Sequence, residues 1–299
     1  MVGSAFCGLQ TSHELIRVGS ADYDLTSLSE SRKMFSDHNP DAVIHTAAKV
    51  GGIKANMDNL GEFYYNNILI NTNVLESARH FGVQKLISLL STCIYPDQVK
   101  YPLTEEQIHE GPPHISNYAY AYAKRMLDVQ SRAYRDQYGC NYVTAVCNNL
   151  FGENDNYHLN NSHVIPAIIH KIHLASEENK DVVLWGDGSP LREFTYSKDL
   201  TSILLFLMEN YSGIEPINIG NTQEYSIRDI AFKIKQFMNF EGEIIWNKSA
   251  PSGQKRKPSC NSKFLDLGWS KEQYSPLEQS LKRSCKWFLD NYPNVRGVR

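Results

Sequence analysis

Tyr120 and Lys124 stand four residues apart in the run Asn117-Tyr-Ala-Tyr-Ala-Tyr-Ala-Lys124, whose alanines favour a helix. That spacing puts both side chains on one helical face. An ammonium beside a phenol favours the phenolate, so such a pair can exchange a proton with a carbonyl or alcohol oxygen. Tyr118 and Tyr122 fall on other faces and substitute poorly. Taken alone, the spacing also fits an amphipathic helix with a half-buried tyrosine. Ser91 ends the apolar run 85–90. In open parallel sheets, ligands bind beyond the carboxyl ends of the strands, so a hydroxyl there can hydrogen-bond the oxygen that Tyr120 protonates. A turn serine or a helix cap is the plainer alternative for Ser91.

These side chains need strands to aim them. Runs rich in branched residues at 15–18, 41–47, 85–91 and 141–150 are each followed by a helical pattern. This alternation predicts parallel strands joined by crossover helices, a Rossmann-like doubly wound α/β sheet. Residues 41–47 and 85–90 are almost continuously apolar, as central strands covered on both faces are. Tyr64, Ile68, Leu75 and Ala78 mark one face of a helix that stops near Gly82. A polar loop follows Leu150 and an apolar helix begins at about Pro166. Strands are expected at 181–185 and 243–246 in a smaller C-terminal α/β unit, while 216–220 returns to the first sheet. The expected division is a nucleotide-binding unit at 1–152 with 192–222 returning to it, and a substrate-binding unit at 153–191 and 223–299.

With 41% hydrophobic and 21% charged residues, the chain has enough apolar surface to offset the entropy of ordering. Thirty Lys and Arg against 33 Asp and Glu give a net charge of −3 without like-charge blocks, which argues against a nucleic-acid stripe or a polybasic membrane patch. Six scattered cysteines without C-x-x-C spacing argue against a disulfide framework or zinc cage and point to a reducing, cytoplasmic setting. The most apolar stretch, 200–208, is far short of the ~20 residues a membrane span needs. His170 and His173 read as helix-surface residues rather than metal ligands, and no metal is expected.

Ser91, Tyr120 and Lys124 on such a chain resemble the extended short-chain dehydrogenases/reductases. Four further stretches sharpen the likeness: Ala47-Ala-Lys-Val-Gly-Gly52, Ser91-Thr-Cys93-Ile-Tyr-Pro96, Asn161-Ser-His163-Val-Ile-Pro166 and Leu184-Trp-Gly-Asp-Gly-Ser-Pro-Leu-Arg192-Glu-Phe. Together they are similar to the branch that converts GDP-4-keto-6-deoxy-D-mannose to GDP-L-fucose by 3,5-epimerisation and NADPH-dependent 4-reduction. The resemblance implies that Cys93 and His163 are the acid and base of epimerisation, Ser91, Tyr120 and Lys124 the reduction residues. A thiol in electropositive surroundings and an imidazole both titrate near neutrality, which suits the task. Without the motif, Cys93 reads as a packed core thiol and His163 as the residue before a helix.

The same resemblance implies NADP contacts at Gly3, Asp24, Ala47, Ala48, Leu89, Asn148 and Leu150, besides Tyr120, Lys124 and His163. It implies substrate contacts at Asn149, Lys171, Trp185, Arg192 and Lys257, and a homodimer through helices at 59–80 and 116–135. The guanidinium fork of Arg192 suits a pyrophosphate. Residues 18–20 lack the acid that would clasp an NAD ribose, which favours NADP. Only Gly3 matches the glycine-rich phosphate loop of such folds, so the first strand of the sheet is expected to be absent and NADPH binding weak. Related nucleotide-sugar 4-epimerases or dehydratases, and a non-catalytic nucleotide-sensing relative, are the alternatives.

Overall fold

A computed structural model describes residues 1–250 and 254–298. Its central sheet is parallel, in the order β1 (Ala42–His45), β2 (Lys85–Ser91), β3 (Tyr142–Cys147), β7 (Ile217–Ile219). Alternation along β2 and β3 decides which helices cover each face. Ile87, Leu89, Val143 and Ala145 pack against Leu200, Ile203, Leu204 and Leu207 of α7 (Ser197–Asn210). Leu86, Leu90, Tyr142 and Val146 pack against Leu75 and Ala78 of α4 (Leu60–His80) and Leu127 of α5 (Tyr118–Tyr138). These two apolar layers hold the strands that end at the site.

The helices stop where their sequences say. After α4, Gly82 takes a left-handed φ of 68°, and Gly139 caps α5 at φ 71°. Leu75 and Ala78 lie in the core, whereas Tyr64, on the same predicted stripe, is exposed, because the start of α4 turns Phe63 inward instead. On the first face lies the short α1 (Val2–Ala5), and α2 (Leu28–His38) is capped by the Ser27 side chain. A further one-and-a-half turns, α3 (Ile53–Asp58), precede α4.

The second unit holds β5 (Val182–Trp185) paired in parallel with β9 (Ile244–Asn247), and a three-stranded sheet of β4 (Asn149–Phe151), β6 (Leu191–Tyr196) and β8 (Glu224–Ser226) joins it to the first. Helices α6 (Val164–Glu177), α8 (Ile227–Phe237) and α10 (Leu277–Asn291) pack around them, with Ile169, Ile230, Leu281 and Phe288 at the centre. A short α9 (Ser262–Asp266) brings Phe264 back to the first core.

Three expectations are corrected. Residues 15–18 form no strand: Ile16 and Val18 are exposed and the segment has no ladder partner, since the described sheet ends at β1. The run 141–150 is split into β3 and β4, which belong to different sheets. Asn148 makes the break, donating to the Asn221 carbonyl at 2.8 Å and accepting from Thr195 at 2.7 Å. His170 is a core residue, not a surface one: it is 5% exposed, with Nδ1 2.7 Å from the Tyr157 carbonyl oxygen and its ring against Phe288 and Tyr292.

Candidate active site

Beyond the carboxyl ends of β1, β2 and β3 opens a cavity of about 1300 Å³ that reaches into the second unit. Ser91, Cys93, Tyr120, Lys124 and His163 all line it, as do Asn149, Lys171, Trp185, Arg192 and Lys257. Gly3, Asp24, Ala47, Ala48, Leu89, Asn148 and Leu150 line it too. The fold thus gathers every residue to which the resemblance gives a role onto one surface.

Ser91 is the last residue of β2, and its hydroxyl accepts the Cys93 amide at 3.3 Å, capping the single 3-10 turn Thr92–Ile94. Strand end and turn together carry Ser91 and Cys93 to the cavity wall. Tyr120 and Lys124 follow from the first two turns of α5, with the Tyr120 ring edge-on to Phe63 at 6.4 Å. Burial pushes the Tyr120 phenol well up, and Cys93 and Cys147 add to the effect. The direction is opposite to the lowering expected from Lys124, because burial disfavours the charged phenolate. Lys124 itself is pushed down to about 8 by burial, with Cys147 opposing.

His163 stands immediately before α6 and arrives by a loop held at close quarters. The Gly52 amide donates to the Asn161 carbonyl at 2.9 Å, and a Cβ on Gly52 would lie 2.4 Å from the Ser162 oxygen. The two glycines of the 47–52 motif therefore serve backbone approach, bringing the His163 loop against the end of β1. Ser162 N–H donates to the His158 carbonyl at 3.0 Å, closing the loop on itself. Asp155, 5% exposed, faces His163, Arg296 and the Met1 amino group; burial raises its carboxyl and those groups oppose. Sequence inspection did not single out Asp155, because one acid in a polar loop carries no periodic signal.

At the far end, Lys171 sits 5.0 Å over the Trp185 ring. Arg192 donates to the Gln254 carbonyl at 2.6 Å, and burial lowers both Arg192 and Lys257, each of which faces Cys93. Asn149 donates to the Glu193 carbonyl at 2.9 Å. Arg192 and Lys257, two cations facing the same thiol, suit an anionic ligand such as a diphosphate. Among the described residues, no cluster of His, Cys, Asp and Glu is arranged to hold a metal.

A dinucleotide fits the nicotinamide side of the cavity on an observation of its own: Lys124, only 3% exposed and lowered by burial, lines the cavity beside Tyr120 at the strand ends. Near residues 18–20, Asp22 turns back to accept the Gly19 amide at 2.8 Å and does not line the cavity.

Residues 2–220 match the family model described as the NAD dependent epimerase/dehydratase family. The chain belongs to that family. A Dictyostelium discoideum epimerase/dehydratase relative named GDP-L-fucose synthase is 44% identical over 279 residues, covering 93% of this chain and 87% of its own. A Drosophila melanogaster member named probable GDP-L-fucose synthase is 41% identical over 287 residues, covering 93% and 89%. The crystal structure of a GDP-L-fucose synthetase from Naegleria fowleri bound to NADP superposes with a TM-score of 0.89 at 41% identity, covering 94% of this chain and 87% of that one. No helix among the described residues is long and apolar enough to cross a membrane.

Proposed function

We propose that this chain is a bifunctional NADPH-dependent 3,5-epimerase and 4-reductase that converts GDP-4-keto-6-deoxy-D-mannose to GDP-L-fucose. The observation that carries the proposal is that a thiol and an imidazole, Cys93 and His163, line the same cavity as the Tyr120–Lys124 pair. A plain 4-reductase has no use for the first two.

The 4-keto group acidifies the hydrogens at C3 and C5, because the electron pair left by either proton spreads onto O4. Cys93 and His163, approaching from two walls, take a proton from one face of the ring and return one to the other. Each removal and return leaves the substrate's composition unchanged and its stereocentre inverted. Ser91 holds O4 by a hydrogen bond, which stabilises charge as it develops there. NADPH, when bound, supplies hydride for C4. Tyr120 gives its proton to O4, and the ketone becomes an alcohol in which neither neighbouring hydrogen is acidic. Reduction therefore ends epimerisation.

Lys124 holds the nicotinamide ribose, and Gly3, Asp24, Ala47, Ala48, Leu89, Asn148 and Leu150 hold the remainder of the dinucleotide. Lys171 and Trp185 take the base or sugar, and Arg192 and Lys257 the diphosphate, with Asn149 at the hexose. The nucleotide-binding unit comprises 1–152 and 192–222, the substrate-binding unit 153–191 and 223–299. Two copies pair through the faces of α4 and α5, where Tyr65 and Val129 are exposed, in the cytoplasm.

The test is Cys93→Ser assayed in deuterated water. Deuterium uptake at C3 and C5 should fall by about 10²–10⁴-fold, the usual contribution of a positioned acid/base group, while reduction of the pre-epimerised ketone persists. Undiminished uptake removes Cys93 from the reaction.

A further inference from the structure

Arg125 follows Lys124 on α5 but points the other way, into the protein, and is 4% exposed. Its Nε donates to the Ile94 carbonyl at 3.0 Å, its Nη2 donates to the same oxygen, and its Nη1 donates to the Gly111 carbonyl at 2.9 Å. The guanidinium also lies 5.2 Å from the centre of the Tyr122 ring. Among the described residues it forms no ion pair. Burial lowers it, and only Tyr122 opposes.

A buried cation without a counter-ion is costly, and an apolar side chain of similar volume would fill the space at less expense. What an apolar residue cannot do is tie two chain segments to one helix. The planar fork reaches two carbonyls at once, and hydrogen bonds from a charged donor are about twice as strong as neutral ones. One of those carbonyls belongs to Ile94, the residue after Cys93 and the end of the turn that carries the thiol. The other, Gly111, belongs to the segment leading into α5, held against residues 96–97 by the Asp97 amide donating to the Pro112 carbonyl at 2.9 Å.

From this geometry we infer that Arg125 is the positioning residue of the epimerisation half-site: it fixes the Cys93 turn to the helix that carries Tyr120 and Lys124, so that thiol and phenol keep one spacing on the same sugar ring. The inference rests on the assignment of Cys93 as an epimerisation group. It also explains why a charge is kept in an apolar layer one residue beyond Lys124.

Arg125→Lys and Arg125→Met test it. Lysine keeps the charge but offers no fork, so both variants should behave alike. Turnover for deuterium uptake at C3 and C5 should fall by about 10²-fold, the cost of roughly 1 Å of misplacement. Reduction of the pre-epimerised ketone and the KM for nucleotide sugar should stay within a few-fold of the parent. Iodoacetamide should alkylate Cys93 several-fold faster in both variants in the absence of any ligand, with the Cys260 rate unchanged, as read by peptide mass spectrometry. Uptake and reduction falling together with the folded fraction, undiminished uptake, an unchanged Cys93 rate, or failure of both variants to fold would each overturn the inference. Cys93→Ser separates the two claims: if it retains deuterium uptake, the assignment of Cys93 fails. If it loses uptake while Arg125→Lys keeps it, only the role of Arg125 fails.

Discussion

At the scale of residues, the site divides its proton work by environment. In the proposed reaction Tyr120 holds a proton until O4 receives charge, and burial keeps its phenol neutral across the physiological range. Lys124, lowered to about 8 by the same burial, is charged below that pH and loses its charge above it. Reduction that depends on the ammonium should accordingly decline as pH rises through about 8, measured as kcat on the pre-epimerised ketone. A rate level to pH 10 would contradict this. Tyr120→Phe should lower reduction by about 10²–10⁴-fold while leaving deuterium exchange measurable, the mirror image of Cys93→Ser. The shared placement of Tyr120, Lys124 and Ser91 at one cavity was legible because spacing and strand end are local facts. Cys93 and His163 gain meaning only from the motifs around them. Arg125 was not legible at all: in sequence it is one more basic residue on a helix, and its work depends on carbonyls 14 and 31 residues away.

Among the elements, the decisive contact is backbone on backbone, where the Gly52 turn meets the Asn161–Ser162 loop. Gly52→Ala would place a methyl 2.4 Å from the Ser162 oxygen, and no flexible side chain is there to give way. The expected loss is about 1–3 kcal/mol, the range for overpacking, seen as a lower denaturation midpoint. A drop in deuterium exchange should exceed the drop in reduction, because it is the His163 loop that moves. The Gly-Gly pair was visible in the sequence, but its reason was not, since the partner lies 109 residues away. The strands show the same limit. Residues 85–91 and 217–219 announced themselves as apolar runs and fold so. Residues 15–18 have equal strand propensity and remain irregular, because a strand is completed by its neighbour rather than by its own side chains.

For the whole molecule, one contribution to acid stability lies beneath the site. His45, at the end of β1, is 3% exposed, its Nε2 is 3.2 Å from the Asn71 side-chain oxygen, and burial followed by Lys124 lowers it to about 3. Its folded value lies below the unfolded 6.5, so its contribution to stability is complete above about pH 6.5 and is lost as pH falls toward about 3. His45→Gln should flatten the acid limb of a stability profile measured by urea denaturation between those values. An unaltered limb would assign acid lability to other groups. The layered arrangement of sheet and helices followed from alternation of apolar runs. The crossing of Asn149–Phe151 from one sheet to the other did not, because it depends on Asn148 finding Thr195 and Asn221 across the fold.

The ammonium of Lys171 resting on the half-exposed indole of Trp185 has an optical consequence. A cation that close to the ring perturbs its emission, so any ligand that draws Lys171 away, or slides between the two, changes the fluorescence of the protein. Occupancy of that end of the cavity can thus be followed without a label, and Trp185→Phe, leaving three other tryptophans, should silence the signal.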